Sequence, residues 1–274
     1  MVRQEVGHMV LAWRLLRVGG HLLAGFVEIV ALFPLMSPDK RKRRIRAWSK
    51  HLLAICAVRA EVYGLPEKVG GRMVLANHVS WLDIFALNSC GALCFVAKSE
   101  INRWPLLGFL TRHTGTVFVE RARRGTVNAT VRQLDELLAA GEDVAVFPEG
   151  TTGSGEEVKP FKSSLLQAAS AGAYAVQPVA LRYPLPDGRC DVGMAYYGST
   201  SLWQSVRRVL RGRHNVVELY FLPELPAGAL SRNAVADMAH AQIAGCLAVR
   251  AAAQQHTFCG WQEHETSEPL MVSA

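Results

Sequence analysis

Arg72-Met73-Val74-Leu75-Ala76-Asn77-His78-Val79-Ser80-Trp81-Leu82-Asp83 is the stretch that decides the fold. From Met73 to Ala76 it is unbroken apolar chain, which reads as a buried strand. Ser80 has the chemistry of a helix N-cap, and Trp81, Leu82, Ile84, Phe85 and Leu87 supply the apolar residues of a helix behind it. His78 and Asp83 stand five residues apart. On one continuous helix such positions point about 140° away from each other, at ~3.6 residues per turn. The histidine therefore belongs at the end of the strand, and the aspartate, in the first turn, swings back to it. A carboxylate so placed fixes the imidazole tautomer and stabilises the imidazolium, which equips His78 as a general base. The same residues also have the shape of a capping box, Ser80-x-x-Asp83, with the acid favoured by the helix dipole and His78 an ordinary loop histidine. Three further blocks weigh towards chemistry.

At 274 residues the chain can bury a sizeable core, and one domain of this size is common. Half of the residues are hydrophobic and 19% charged, apolar for a soluble enzyme but not a polytopic membrane protein. A net charge of +7 favours anionic partners: membrane surfaces, phosphorylated substrates or nucleic acid. Aromatic residues make up only 8%, and none interleave with the basic residues as a base-stacking platform requires, so nucleic acid is not expected as a partner. The six cysteines form no CxxC pair; Cys90 and Cys94 read as lying on or just past one helix. Neither a zinc site nor a disulfide framework is expected, and free thiols place the chain facing the cytoplasm.

From Val18 to Met36 the chain is largely apolar, interrupted by His21 and Glu28 and closed by Pro34. A clean spanning helix wants ~20 apolar residues with few charges, so this segment is marginal as a span, and no small-residue cleavage site marks it as a signal peptide. Lys40-Arg41-Lys42-Arg43-Arg44-Ile45-Arg46 follows at once. A basic run beside an apolar helix attracts anionic headgroups at ~1 kcal/mol per basic residue. Residues 1–55 are thus expected to be a helical membrane-association segment, spanning or monotopic, on the inner membrane, with the basic run in the cytoplasm.

Residues 56–258 read as an α/β domain, a mostly parallel mixed sheet flanked by helices. Strands are expected at Ala60 to Gly64, Arg72 to Ala76, Cys94 to Ala97, Thr116 to Val119, Asp143 to Phe147, Ala175 to Leu181, Val192 to Tyr197 and Val216 to Phe221. Pro178 implies an edge or a bulge. Helices are expected at Thr126 to Ala140, stopped by Gly141, at Ser163 to Ala171, and at Asn233 to Ala252. Residues 259–274 read as a mobile tail. In such a sheet functional residues cluster at strand C-termini, as His78 does.

Gly115-Thr116-Val117-Phe118-Val119-Glu120-Arg121 carries an arginine just beyond a strand, with Arg123 and Arg124 behind it. A guanidinium binds phosphate bidentately. Phe147-Pro148-Glu149-Gly150-Thr151 ends another strand in a tight turn, and Thr152-Gly153-Ser154-Gly155 continues it as a glycine-rich loop that lets backbone approach a ligand. No Gly-Lys-Ser/Thr follows, so it is no Walker A loop. Glu149 can bind substrate hydroxyls, orient an arginine or pair with a backbone amide. Val176-Gln177-Pro178-Val179 is chemically mute and reads as core or as the wall of an acyl groove.

In this order the four blocks resemble the glycerophospholipid acyltransferases, the 1-acylglycerol-3-phosphate acyltransferases and relatives. Asn77, His78 and Asp83 match the family's Asn-His-x4-Asp signature. Gly115, Phe118 and Arg121 resemble its second block, Phe147, Pro148, Glu149, Gly150 and Thr151 its third, and Val176, Pro178 and Val179 its fourth. The resemblance covers roughly residues 70–182. Many relatives carry arginine-serine after the third block, where this chain has Thr152-Gly153. With Pro160-Phe161-Lys162-Ser163-Ser164-Leu165, that is similar to a bacterial branch that includes lyso-ornithine lipid acyltransferases.

The resemblance implies transfer of a fatty acyl group from an acyl-carrier-protein or CoA thioester co-substrate to a lysolipid hydroxyl. The acceptor expected first is 1-acylglycerol-3-phosphate, giving phosphatidic acid; a lyso-ornithine lipid is the alternative. His78 and Asp83 are the expected catalytic pair, with Arg121, Glu149, Gly150 and Thr151 on the acceptor. Asn77, Gly115, Phe118, Phe147, Pro148 and Pro178 are expected to support them. Ser80 as a covalent nucleophile is the lesser reading of that residue. No cofactor or metal is expected, because a thioester is already activated. Two competitors belong to other classes: a non-catalytic membrane-surface binding protein, and a metal-dependent hydrolase, against which the scattered histidines count.

Overall fold

The computed structural model describes residues 4–64, 70–119 and 124–264. Two helices come first, α1 (His8–Ala31) and α2 (Pro38–Ile55), joined by a short 3-10 turn at Phe33–Leu35. Then strands and helices alternate: β1 (Val58–Tyr63), β2 (Met73–Ala76), α3 (Asp83–Cys90), β3 (Cys94–Lys98), α4 (Pro105–His113), β4 (Val117–Val119), α5 (Arg124–Ala139) and β5 (Val144–Val146). The rest is α6 (Gln167–Ala171), β6 (Ala175–Arg182), α7 (Leu202–Arg211), β7 (Asn215–Phe221), β8 (Leu225–Pro226) and α8 (Arg232–His264).

The strands form one mixed sheet in the order β1-β7-β6-β2-β5-β3-β4, with β8 also paired to β6. Every pair is parallel except those β6 makes with β7 and β8. This is the expected helix-covered, mostly parallel architecture. Successive residues of β2 point to opposite faces, and both faces are covered, which is why its sequence is unbroken apolar chain. Val74 and Ala76 join a core with Leu11 of α1, Leu52 and Leu53 of α2, Leu87 of α3 and Leu210 of α7. Met73 and Leu75 join the other core, with Leu134 and Leu138 of α5, Leu166, and Val235 of α8.

Of the two readings of Pro178, an edge or a bulge, the structure shows the bulge: Pro178 lies inside the sheet, where three steps of β6 from Val176 to Val179 face four of its partner from Leu225 to Phe221. Its neighbour on one side is Leu75 of β2. On the other side β7 pairs only from Val179 onwards, and β8 only with Ala175 and Val176. The missing N–H thus falls in the gap between two antiparallel partners, where the Pro178 carbonyl accepts from Leu222 N–H at 2.9 Å. Val192 to Tyr197, expected as a strand, is a string of turns. Asp191 caps Gly193 N–H with its side chain, Met194 and Ala195 fold back on Asp191 and Val192, and Tyr196 N–H donates to the Val79 carbonyl. Local side-chain capping has outcompeted a ladder there. Ser163 to Ala171 divides into a 3-10 turn and the short α6. Cys90 closes α3 while Cys94 opens β3, so the two do not share a helix. No proline interrupts α8, which runs on to His264, past the expected start of the tail.

The N-terminal helices lie along the body. Val6 N–H donates to the Arg211 carbonyl, and Arg14 donates to the carbonyls of Leu210 and Gly212, both at 2.7 Å, at the C-terminal end of α7. A cation there also suits the helix dipole. By length and composition α1 can cross a membrane.

Candidate active site

Three parallel strands, β2, β5 and β3, end together at one edge of the sheet, and β4 ends beside β3. Past the end of β2 the backbone ladder stops, and side chains take over its role. Asn77, buried, donates through Nδ2 to the Leu181 carbonyl at 2.9 Å and accepts from Leu181 N–H at 2.7 Å. This holds the end of β2 to β6. Glu149 does the same towards β5: Oε1 accepts from His78 N–H at 2.7 Å, and Oε2 from Lys159 N–H at 3.1 Å. Burial pushes the Glu149 carboxyl up from its usual value, and these two amides pull it back. Both its oxygens serve the backbone, so of the roles read from sequence the structure displays the pairing with amides.

Asp83 is fully buried at the first turn of α3. Its Oδ2 accepts from His78 Nδ1 at 2.8 Å, Val79 N–H at 2.7 Å and Ser80 N–H at 3.0 Å. Its Oδ1 accepts from the Tyr183 hydroxyl at 2.6 Å. Surrounded by donors, this carboxylate leaves Nδ1 of His78 as a donor too, and so Nε2 as the basic nitrogen of the ring. Among the described residues Nε2 has no partner. The histidine side chain is 18% exposed, against none of Asp83, so the pair is wet only on the imidazole side. Phe147 stacks on the imidazole at 3.9 Å between centroids and holds its plane. The predicted Ser80 cap is not made by its hydroxyl. The helix proper starts at Asp83, and the bond runs the other way, from Ser80 N–H to the aspartate.

Tyr183 is the residue that sequence reading missed. It is fully buried, and burial together with the Asp83 carboxylate raises its phenol well above the ordinary value, so it remains a donor. Nothing local marks it: it lies exactly one hundred residues from its partner, just past β6.

The glycine-rich loop folds over the same edge. Gly153 N–H donates to the His78 carbonyl at 2.8 Å, and the Lys162 amide to Pro148 O at 2.9 Å. Gly150 turns with φ of 73°, a left-handed conformation suited to glycine. Thr151 is exposed, and Lys159 Nζ reaches the Thr152 carbonyl at 2.8 Å. In the second block Gly115 has φ of 80°, and a Cβ there would meet Cys94 Sγ at 2.9 Å. Phe118 sits mid-β4 opposite Ala97. Arg121 and its neighbour Arg123 lie outside the described residues.

A family model described as "Acyltransferase" matches residues 59–182, from β1 to the end of β6, which takes in all four blocks. The 1-acyl-sn-glycerol-3-phosphate acyltransferase of Neisseria gonorrhoeae is 40% identical over 177 residues, 62% of this chain and 68% of that one. The lyso-ornithine lipid O-acyltransferase of Pseudomonas aeruginosa is 35% identical over 199 residues, 73% of this chain and 76% of that one. The crystal structure of the 1-acyl-sn-glycerophosphate acyltransferase of Thermotoga maritima shares the fold, with a TM-score of 0.60 at 20% identity over 93% of this chain and 99% of that one.

Glu149→Gln tests the clamp between the two strand ends. An amide keeps one acceptor and turns its NH2 on the other backbone donor, so stability should fall by about 1–3 kcal/mol. Urea denaturation reads this directly, and an unchanged midpoint would remove Glu149 from that role.

Proposed function

Since the chain belongs to the acyltransferase family and is an O-acyltransferase, we propose that it moves a fatty acyl group from a CoA or acyl-carrier-protein thioester to the hydroxyl of a lysolipid. The observation that carries this reading is the hydrogen bond between His78 Nδ1 and the buried Asp83 carboxylate. His78 Nε2 takes the proton from the acceptor hydroxyl as that oxygen attacks the thioester carbonyl. The carbon–sulfur bond breaks, and the proton passes from the imidazolium to the departing thiolate. Asp83 stabilises the imidazolium between these steps. No acyl-enzyme is needed, because the acceptor supplies the nucleophile, and Ser80 has no base beside it in this scheme.

The acceptor proposed first is 1-acylglycerol-3-phosphate. Arg121 follows two residues after β4, whose end lies at the edge that carries His78, and Lys159 brings a second cation to the loop that lacks the arginine of many relatives. A lyso-ornithine lipid is the second reading, favoured by Thr152-Gly153 and by the long match to the Pseudomonas enzyme.

Membrane docking is assigned to α1. Met9, Trp13, Leu16, Leu23, Val27 and Val30 are exposed along one stripe at alternating spacings of three and four, completed by Gly20. Because the opposite side of α1 is bonded to the body, the stripe fits a monotopic helix lying in the interface better than one that crosses. The basic run is partly used inside the fold: Lys42 pairs with Glu142, Arg44 with Glu28, and Arg41 and Arg46 donate to carbonyls. Lys40 and Arg43 keep their charge for anionic lipid, with the catalytic face towards the cytoplasm.

Incubation with a radiolabelled acyl thioester and a panel of lysolipids, read by thin-layer chromatography, tests the reaction. Product from lysophosphatidic acid is expected, and product from lyso-ornithine lipid alone would replace it with the second reading. His78→Ala should lower turnover about 10²- to 10⁴-fold with the fold intact; near wild-type turnover would take His78 out of the mechanism.

Tyr183→Phe removes one donor from Asp83. A bond to a charged group is worth ~1.5–3 kcal/mol, so kcat should fall about tenfold or more while KM stays. The effect should vanish in an Asp83→Asn background. An equal loss in both backgrounds would make Tyr183 a packing residue only.

A further inference from the structure

The hairpin of α1 and α2 leaves a shallow groove of about 410 Å³ on its outer side, which the proposed reaction does not use. Small residues, Gly20 and Ala24, keep it open on α1. Its charges do not cancel. Two guanidinium groups face one carboxylate: Arg44 is committed to Glu28 by two hydrogen bonds, while Arg17 forms no ion pair among the described residues. His21 stacks on Trp48 at 4.3 Å and bonds its carbonyl at 3.0 Å, and His51 meets the His21 ring edge-on at 4.7 Å. Burial lowers the His21 pKa, against the bond to the Trp48 carbonyl and the nearby Glu28, with His51 and Arg17 adding to the lowering.

The groove also adjoins apolar surface. Gly20 belongs both to its lining and to the exposed stripe of α1, and Leu16 and Leu23, 72% and 61% exposed, flank it. An unanswered cation beside an open apolar track matches a ligand with an anionic head and a hydrocarbon tail. We propose that this groove is a binding site for the phosphate headgroup of an anionic membrane lipid, held by Arg17, with its acyl chains along the stripe of α1. The proposal rests on the docking reading of α1 and specifies which lipid that helix selects. It is independent of the chemistry at His78.

Vesicle flotation with the full chain tests it, because no activity enters the readout. Phosphatidylcholine vesicles doped with phosphatidic acid are compared with vesicles brought to equal surface charge by cholesteryl hemisuccinate, a carboxylate. Wild-type protein should prefer phosphatidic acid. Arg17→Ala should abolish that preference, weakening binding to phosphatidic acid by more than the roughly fivefold that one surface cation is worth. Lys40→Ala should weaken binding to both vesicles alike. Since Arg17 is exposed, its loss leaves the core untouched, and an unchanged circular dichroism spectrum confirms the fold. A preference retained by Arg17→Ala would overturn the site. Displacement from phosphatidic-acid vesicles by inorganic phosphate, but not by sulfate at equal ionic strength, would reassign it to free phosphate. Wild-type protein that floats with neither vesicle would overturn the docking of α1 and this site together.

Discussion

The buried carboxylate of Asp83 gathers donors from four places: an imidazole, two consecutive amides and a tyrosine hydroxyl. An uncompensated charge at such depth costs several kcal/mol, so the carboxylate can be kept only if those donors stay where they are. That requirement shapes the neighbourhood. The chain must leave β2 and enter α3 through a bend that turns the Val79 and Ser80 amides inwards, and β6 must end where Tyr183 reaches the same point. The imidazole is then held at one nitrogen and open at the other.

Two other buried side chains set the distance between strand ends. Asn77 ties the end of β2 to β6 and Glu149 ties it to the loop after β5, each by bonding backbone. Parallel strands separate where their ladder stops, and side-chain amides and carboxylates can extend it by a residue or two. Glu149, in a motif that reads as substrate binding, thereby also fixes the backbone of His78. The N-terminal helices join the same body: Leu11, Leu52 and Leu53 pack in the core shared by β2 and α3, so α1 and the sheet edge that carries His78 share one support.

Much of this could be read in the sequence, for identifiable reasons. The apolar run at β2, the five-residue step from His78 to Asp83 and the glycine stop after α5 are local patterns, and local patterns survive folding. Where the sequence left alternatives open or misled, a distant partner had intervened. Pro178 is tolerated inside the sheet because β7 and β8 leave a gap opposite it, which only the fold of residues 221–226 creates. Val192 to Tyr197 has strand-forming residues, but the Asp191 side chain and the Val79 carbonyl capture its amides. Tyr183 carries no motif at all. Its significance comes from a hydroxyl that arrives from the neighbouring strand β6, one hundred residues further along the chain.

The tautomer of His78 is the most direct measure of whether the carboxylate governs the ring. Long-range proton–nitrogen spectra of the full chain, labelled with 15N-histidine in detergent micelles, distinguish the two ring nitrogens at neutral pH. The proton should reside on Nδ1, with Nε2 bare, and Asp83→Asn should disturb that assignment. A ring protonated on Nε2, or one indifferent to the loss of the carboxylate, would contradict the account.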